Sequence, residues 1–166
     1  MWGSTKANTP DECTWTKAPF NNGSSNYDKA YFKSVKDTVC PNGILAEEYD
    51  TATQIMGSDW RMPTDNDFQE LLNNTDNAWV DNFKGTGING RQFTSRSDTS
   101  KYIFIPAAGY HLGTSEKYKG DRDYVWSSSL VTTSPRSAWY LYSSSGNDRV
   151  DYYDRYYGLS VRGVRK

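Results

Sequence analysis

The 166-residue chain predicts an α+β domain, because helical spacing is confined to its first half and alternating strand patterns fill its second. Turn residues separate nearly every element, with 13 Gly and many Ser, Asn and Asp. A chain of this length forms one domain, residues 1–166, and buries a core without metals or staples. The expected architecture is two helices packed on twisted antiparallel sheets.

Residues 1–43 carry Trp2, Trp15, Phe20, Tyr27, Tyr31 and Phe32 among Asn-Gly, Ser-Ser and Pro-Asn-Gly turns, so they read as long ordered loops with short strand pieces. ILAEEYDTATQIMG, from Ile44, has helical spacing, with Ala52, Ile55 and Met56 on one side and Gly57 as its stop. A second helix over 64–74 is predicted by DWRMPTDNDFQELLNN, where Thr64 and Asp67 resemble a capping box before the apolar stripe Phe68, Leu71 and Leu72. WVDNFKG, GRQFTSR, KYIFIPAAGY, DYVWSSS, SAWYLYSSS, RVDYY and YGLSVRGVR follow as strands. The last two, about 149–153 and 158–165, are expected in the same sheet. The runs Ser127–Ser129 and Ser143–Ser145 read as strand ends and turns.

Composition excludes several function classes. The net charge is -1 with scattered basic residues, which offers no footprint for nucleic acid or an anionic membrane. No apolar run is long enough to insert in a membrane, the start lacks the charged and apolar regions of a signal peptide, and the chain is expected to be soluble. Cys13 and Cys40 leave a disulfide and two free thiols both open, and they are too few for a four-ligand zinc site. The single histidine, His111, shows no Cys or carboxylate companion at ligand spacing and reads as a loop or surface residue. GTGING at 85–90 lacks the Lys-Ser/Thr ending of a phosphate loop and reads as a hairpin turn. No cofactor and no transition metal is indicated. Asp148, Asp151 and Asp154 carry oxygens of the kind calcium takes, but strand alternation sends Asp151 to the opposite face, so calcium lacks support and solvated carboxylates are expected.

The informative signal is a shift in vocabulary. Between Gly120 and Arg165 there is no Lys, Glu or Gln, and in 137–159 Tyr, Ser, Asn and Asp fill 14 of 23 positions. That is the composition of a paratope: Tyr offers large contact area with two torsions to freeze, while Ser, Asn and Asp offer adaptable hydrogen bonds. Packing of tyrosines on a sheet is the plainer alternative. Tyr152–Tyr153 and Tyr156–Tyr157 are adjacent, however, so one of each pair should face outward.

SDWRMPTDNDFQELLNN, IFIPAAGY, YVWSSS, AWYLY and RYYGLSVRGVR, in that order over roughly residues 44–165, resemble the Fibrobacter succinogenes major paralogous domain common in Bacteroidetes. The resemblance implies a C-type-lectin-like fold of the formylglycine-generating-enzyme-like subclass. Some members of this group are similar to variable proteins of diversity-generating retroelements, whose adenine-directed mutagenesis rewrites C-terminal codons into ones for Asn, Asp, Tyr, Ser and His but never Lys, Glu, Gln, Met or Trp. About 120–165 would then carry the variable region. The resemblance assigns Trp126, Ser127, Ala138, Leu141, Val150, Arg155, Gly158, Ser160, Val161 and Arg162 to a fixed frame, and Trp139 joins them because its codon is out of reach. It assigns Tyr140, Tyr142, Ser144, Asn147, Asp148, Asp151, Tyr152, Tyr153, Asp154, Tyr157 and Leu159 to a ligand-binding variable face. Gly158 fits a close approach of backbone, and Arg155 and Arg162 fit ties to carbonyls or carboxylates.

The implied function is a receptor-binding or adhesin domain on a bacterial cell surface or a phage tail, with a protein or glycan ligand and no catalytic residues. An invariant glycan-binding surface lipoprotein module is the alternative. An enzyme of the formylglycine-generating type ranks third, since neither Cys lies in the C-terminal region.

Overall fold

The structure, a computed structural model, describes residues 1–166. Where loops are expected, Lys29–Val39 forms a helix, α1. Asp28 caps it by accepting from the Tyr31 N–H at 2.9 Å, Phe32 and Val39 bury one side, and Pro41 prevents its continuation. The aromatic and lysine-rich surface of this stretch masks a helical stripe of only two buried residues.

The helix expected from Ile44 is shorter than its pattern. Leu45 donates to Ser128 O at 3.0 Å and Ile44 bridges Ser129, so this backbone stays extended against a strand. A 3-10 turn, Glu47–Tyr49, leads into α2, Thr51–Met56, which ends at Gly57 with φ +95°. Of its expected apolar side only Ala52 is buried; Ile55 and Met56 are exposed. Asp50 caps α2 and also accepts from the Met62 N–H, pinning the helix to β1, Trp60–Arg61. The third helix, α3, Asp65–Asn74, matches its prediction: Thr64 and Asp67 make the reciprocal capping bonds. Arg61 pairs with Asp67 at 2.5 Å and, ahead of the capping bonds, holds its carboxyl down at about 2.

The remaining strands are β2 (Thr75–Val80), β3 (Gly90–Ser95), β4 (Tyr102–Pro106), β5 (Tyr110–Leu112), β6 (Ser115–Lys117), β7 (Arg122–Leu130), β8 (Ser137–Ser144), β9 (Asp148–Asp154) and β10 (Val164–Arg165). They form antiparallel sheets β2-β3-β4 and β7-β8-β9, a β5-β6 hairpin and a β1-β10 pair. GTGING falls in the connection between paired strands β2 and β3. This α+β fold has three helices where two are predicted.

The β7-β8-β9 sheet lies between two apolar layers. On one face Val125 and Leu141 meet Phe68 of α3, Phe93 and Ile105. On the other, Trp126, Tyr124 and Tyr140 meet Phe32 of α1, Trp2, Tyr110 and Leu159. β7 is buried on both faces along almost its whole length. Ser127–Ser129 therefore sit inside the strand and not at its end, at a register shift between Trp126 and Leu130. There Ser127 Oγ donates to Trp139 O at 2.9 Å in place of a ladder bond, and Ser129 Oγ accepts from the Asp65 N–H in the first turn of α3.

Residues 158–165 do not return beside β9 as expected. Gly158 exchanges both backbone hydrogen bonds with His111, Ser160 bridges Val125 of β7 in parallel, and only Val164–Arg165 is a strand, paired with β1. The cause is the outer edge of β7, whose Trp126 N–H and Tyr124 C=O are satisfied by Ser160. Cys13 and Cys40 are both free and buried.

Gly158 has the close approach expected of it: a Cβ there would sit 2.5 Å from Cys13 Sγ and 3.1 Å from His111 Cβ. Gly158→Ala is expected to cost about 1–3 kcal/mol by overpacking. Cys13→Ala in the same chain should restore most of that loss, because the sulfur is the nearest obstacle. Melting curves of the two single variants and the double variant check this; additive losses would show that the strain lies elsewhere.

Candidate ligand-binding face

Cross-strand register decides which side chains share a surface. Tyr124 opposes Tyr142, which opposes Arg149; Trp126 opposes Tyr140, which opposes Asp151; Ala138 opposes Tyr153. Arg122, Tyr124, Tyr142, Arg149, Asp151 and Tyr153 thus lie on one face. Tyr110, Tyr118 and Tyr157 join them from the hairpin and the turn after β9. Ring centroids are 4.9 Å apart for Tyr110–Tyr124, 5.4 Å for Tyr110–Tyr157 and Tyr124–Tyr142, 5.1 Å for Tyr140–Tyr153 and 4.8 Å for Tyr153–Tyr157. These separations suit edge-to-face and offset-stacked rings.

The cluster grades from core to surface. Tyr124, Tyr140 and Tyr142 are buried, at 2%, 2% and 8% exposure, while Tyr118 is 43% exposed and Tyr153 and Tyr157 lie between. Arg122 stacks over Tyr118 at 3.9 Å and Arg149 over Tyr142 at 4.2 Å, framing the rings with two guanidiniums. Burial pushes the Tyr110 and Tyr157 hydroxyls up to about 12, and those of Tyr124 and Tyr140 further. All stay protonated at neutral pH and present donors and acceptors, not charge.

Only some of the assigned variable residues share this face. Tyr140, Tyr142, Ser144, Asp151 and Tyr153 are on it, with Tyr157 beside them. Asp148, Tyr152 and Asp154 alternate to the other side, where Tyr152 is 49% exposed and meets Trp139 edge-on at 5.4 Å. The Tyr152–Tyr153 pair thus splits, one outward and one inward. Ser144 is partly buried and Asn147 exposed at the β8-β9 turn. Tyr140, Tyr142 and Leu159 correct the expectation of a wholly solvent-facing set: β5 and the Gly158 bridge cover that part of the sheet and draw them into the core.

Frame positions are firmer. Arg155 is fully buried and donates to Pro135 O at 2.9 Å and Pro19 O at 3.3 Å; Arg162 donates to Phe104 O at 3.3 Å. Val161 is exposed. Each of the three aspartates is engaged by an arginine: Asp148 by Arg91, Asp151 by Arg149 at 2.9 Å and Asp154 by Arg136 at 2.8 Å. They are paired carboxylates, neither free nor gathered, and no group of three or more His, Cys, Asp or Glu is placed to hold a metal ion.

Comparison with protein-family models, curated proteins and solved structures returns no significant match to this chain. No helix is long and apolar enough to cross a membrane.

Two features escaped the sequence. Tyr110, Tyr118, Tyr124 and Arg122 complete the tyrosine face; the alternation Arg122-x-Tyr124-x-Trp126 puts them in phase, but only pairing with β8 reveals the shared surface. His111 belongs to β5 and has companions that linear spacing hides: Glu116 lies 3.9 Å from its Nε2, and Cys13 shares the contact at Gly158. Burial raises the Cys13 thiol, the opposite of an activated thiolate.

Proposed function

We propose that this chain is a ligand-binding domain, of the receptor-binding or adhesin type, that meets a protein or glycan on a cell surface through its tyrosine face. The observation that carries it is a coincidence: the segment depleted of Lys, Glu and Gln also supplies most of a bed of neutral tyrosines framed by arginines, which Tyr110 and Tyr118 complete from the β5-β6 hairpin. The C-type-lectin-like fold and diversification by a retroelement belong to this proposal, as does display on a bacterial surface or phage tail.

An invariant glycan-binding module is the second reading. A polar cleft of about 590 Å³, with Trp79, Tyr118, Tyr142, Asp121 and Arg122 in its walls, favours it because it offers rings for stacking beside hydrogen-bonding groups.

An adenine-rich repeat matching the codons of 140–159, beside a reverse-transcriptase gene, is the expected finding in flanking DNA. Identical codons in sister isolates with neither feature nearby would leave the invariant module. Labelled domain on intact Bacteroidetes cells and on a glycan array tests the face itself. Asp151→Ser with Tyr157→Ser should lower binding at least about tenfold, the loss of one or two good contacts. A loss with Tyr152→Ser alone would move the site to the Trp139 side.

A further inference from the structure

Helix α1 and the turn between β7 and β8 enclose a pocket of about 190 Å³ that is separate from the tyrosine face. Phe32, Leu130, Pro135 and the Tyr27 ring give it apolar walls. Lys29, Lys33 and Lys36 line its rim, spaced four and three residues apart and so on one side of the helix. Only Lys36 has a carboxylate partner, its neighbour Asp37 at 2.6 Å, and no Asp or Glu lines the pocket. Asp28, next to Lys29, is occupied in capping the helix.

A fourth cation stands behind the wall. The Arg155 guanidinium lies 3.9 Å from the Phe32 ring centre and 5.6 Å from that of Tyr27. It is fully buried, its two hydrogen bonds go to carbonyls, and its Nη2 has no hydrogen-bond partner. A buried guanidinium without a carboxylate is costly, and an apolar wall does little to screen it.

We propose that this pocket binds a small organic anion whose apolar ring enters between Phe32, Leu130 and Pro135 while its carboxylate meets Lys29 and Lys33. The volume fits one six-membered ring, since an apolar cavity of about 150 Å³ is known to hold benzene. The charge selects an anion: three lysines line a pocket whose lining holds no acid, with Arg155 behind the Phe32 wall, and low-dielectric walls focus their field. The site is independent of the tyrosine face and stands or falls without it.

Amide NMR titrations at constant ionic strength with benzoate, benzyl alcohol and acetate test this. Benzoate is expected to shift the amides of Phe32, Lys33, Leu130 and Thr132 saturably, with benzyl alcohol and acetate at least about tenfold weaker. Lys29→Gln with Lys33→Gln should weaken benzoate by about tenfold, as the loss of two partly exposed charge contacts would. Thr132→Trp, a surface change at the pocket mouth, should abolish binding while the rest of the spectrum stays that of the folded domain. Absence of saturable shifts with benzoate overturns the proposal. So does equal binding of benzyl alcohol, which removes the role of charge, or of acetate, which removes the role of the ring. Unchanged benzoate affinity in the lysine variant also overturns it.

Discussion

Tyr140→Ser is expected to destabilise the domain by about 3–4 kcal/mol, and Tyr152→Ser by no more than about 0.5 kcal/mol. Both tyrosines lie in the segment with paratope-like composition, and residue type does not separate them. Tyr140 is 2% exposed and touches the rings of Tyr124, Trp126 and Tyr153, so its truncation leaves a cavity in the larger core cluster. Tyr152 is 49% exposed and contacts Trp139 at its edge. For a chain of this size the first loss lowers the melting temperature by roughly 6–16 °C and the second by no more than about 2 °C. Tyr142→Ser should behave like Tyr140→Ser, and Tyr153→Ser and Tyr157→Ser should fall between. Equal melting of the Tyr140 and Tyr152 variants would mean that the inner half of the tyrosine bed is not core.

Asp123→Asn is expected to remove a pH dependence of stability between pH 5 and 8 and to leave the variant more stable than the parent at pH 8. Asp123 is fully buried between the two larger sheets, and neither carboxylate oxygen has a hydrogen-bond partner. Burial pushes its carboxyl up to about 7; Ser143 and Arg91 offset part of that rise, and Asp148 adds to it. The folded-state value lies above that of the unfolded chain, so the fold favours the protonated acid. That contribution is complete below about pH 4 and is lost as pH climbs through 7. A gap of about three pKa units corresponds to something on the order of 4 kcal/mol, an upper figure because Arg91 can reorient towards the charge. Asp67 and Glu12 are held near about 2 and Cys40 is pushed up to about 11, outside this window, while burial holds the Met1 amino group below its ordinary value, a contribution common to both proteins that cancels in their difference. Urea midpoints at pH 5 and pH 8 for both proteins check the result, and parallel slopes would show that Asp123 is already ionised in the fold.

Elements governed by local chemistry were legible in the sequence. The α3 cap is one: Thr64 and Asp67 satisfy each other's backbone across a single turn, and no distant residue is needed for the bond. Most strands from Gly90 to Asp154 follow from alternation, and the Gly158 contact follows from a missing side chain in a crowded sequence. Local pattern failed where a distant backbone competed. Ile44 and Leu45 have helical spacing yet stay extended, because Ser128 and Ser129 offer hydrogen bonds to them. The α1 helix was hidden for the opposite reason, since only Phe32 and Val39 of its eleven residues are buried.

By itself the sequence determined that this is one α+β chain, that its last third abandons long amphipathic side chains for tyrosine and short polar ones, and that one tyrosine of Tyr152–Tyr153 faces outward. Which tyrosines form a surface, and which form core, was decided by tertiary structure. Alternation fixes relative sides within a strand, but the face that is covered depends on what lies across it. Here Tyr110 of β5 and Leu159, carried by the segment that pairs along the edge of β7, join Tyr124 and Tyr140 in the core and leave Tyr118, Tyr153 and Tyr157 at its margin.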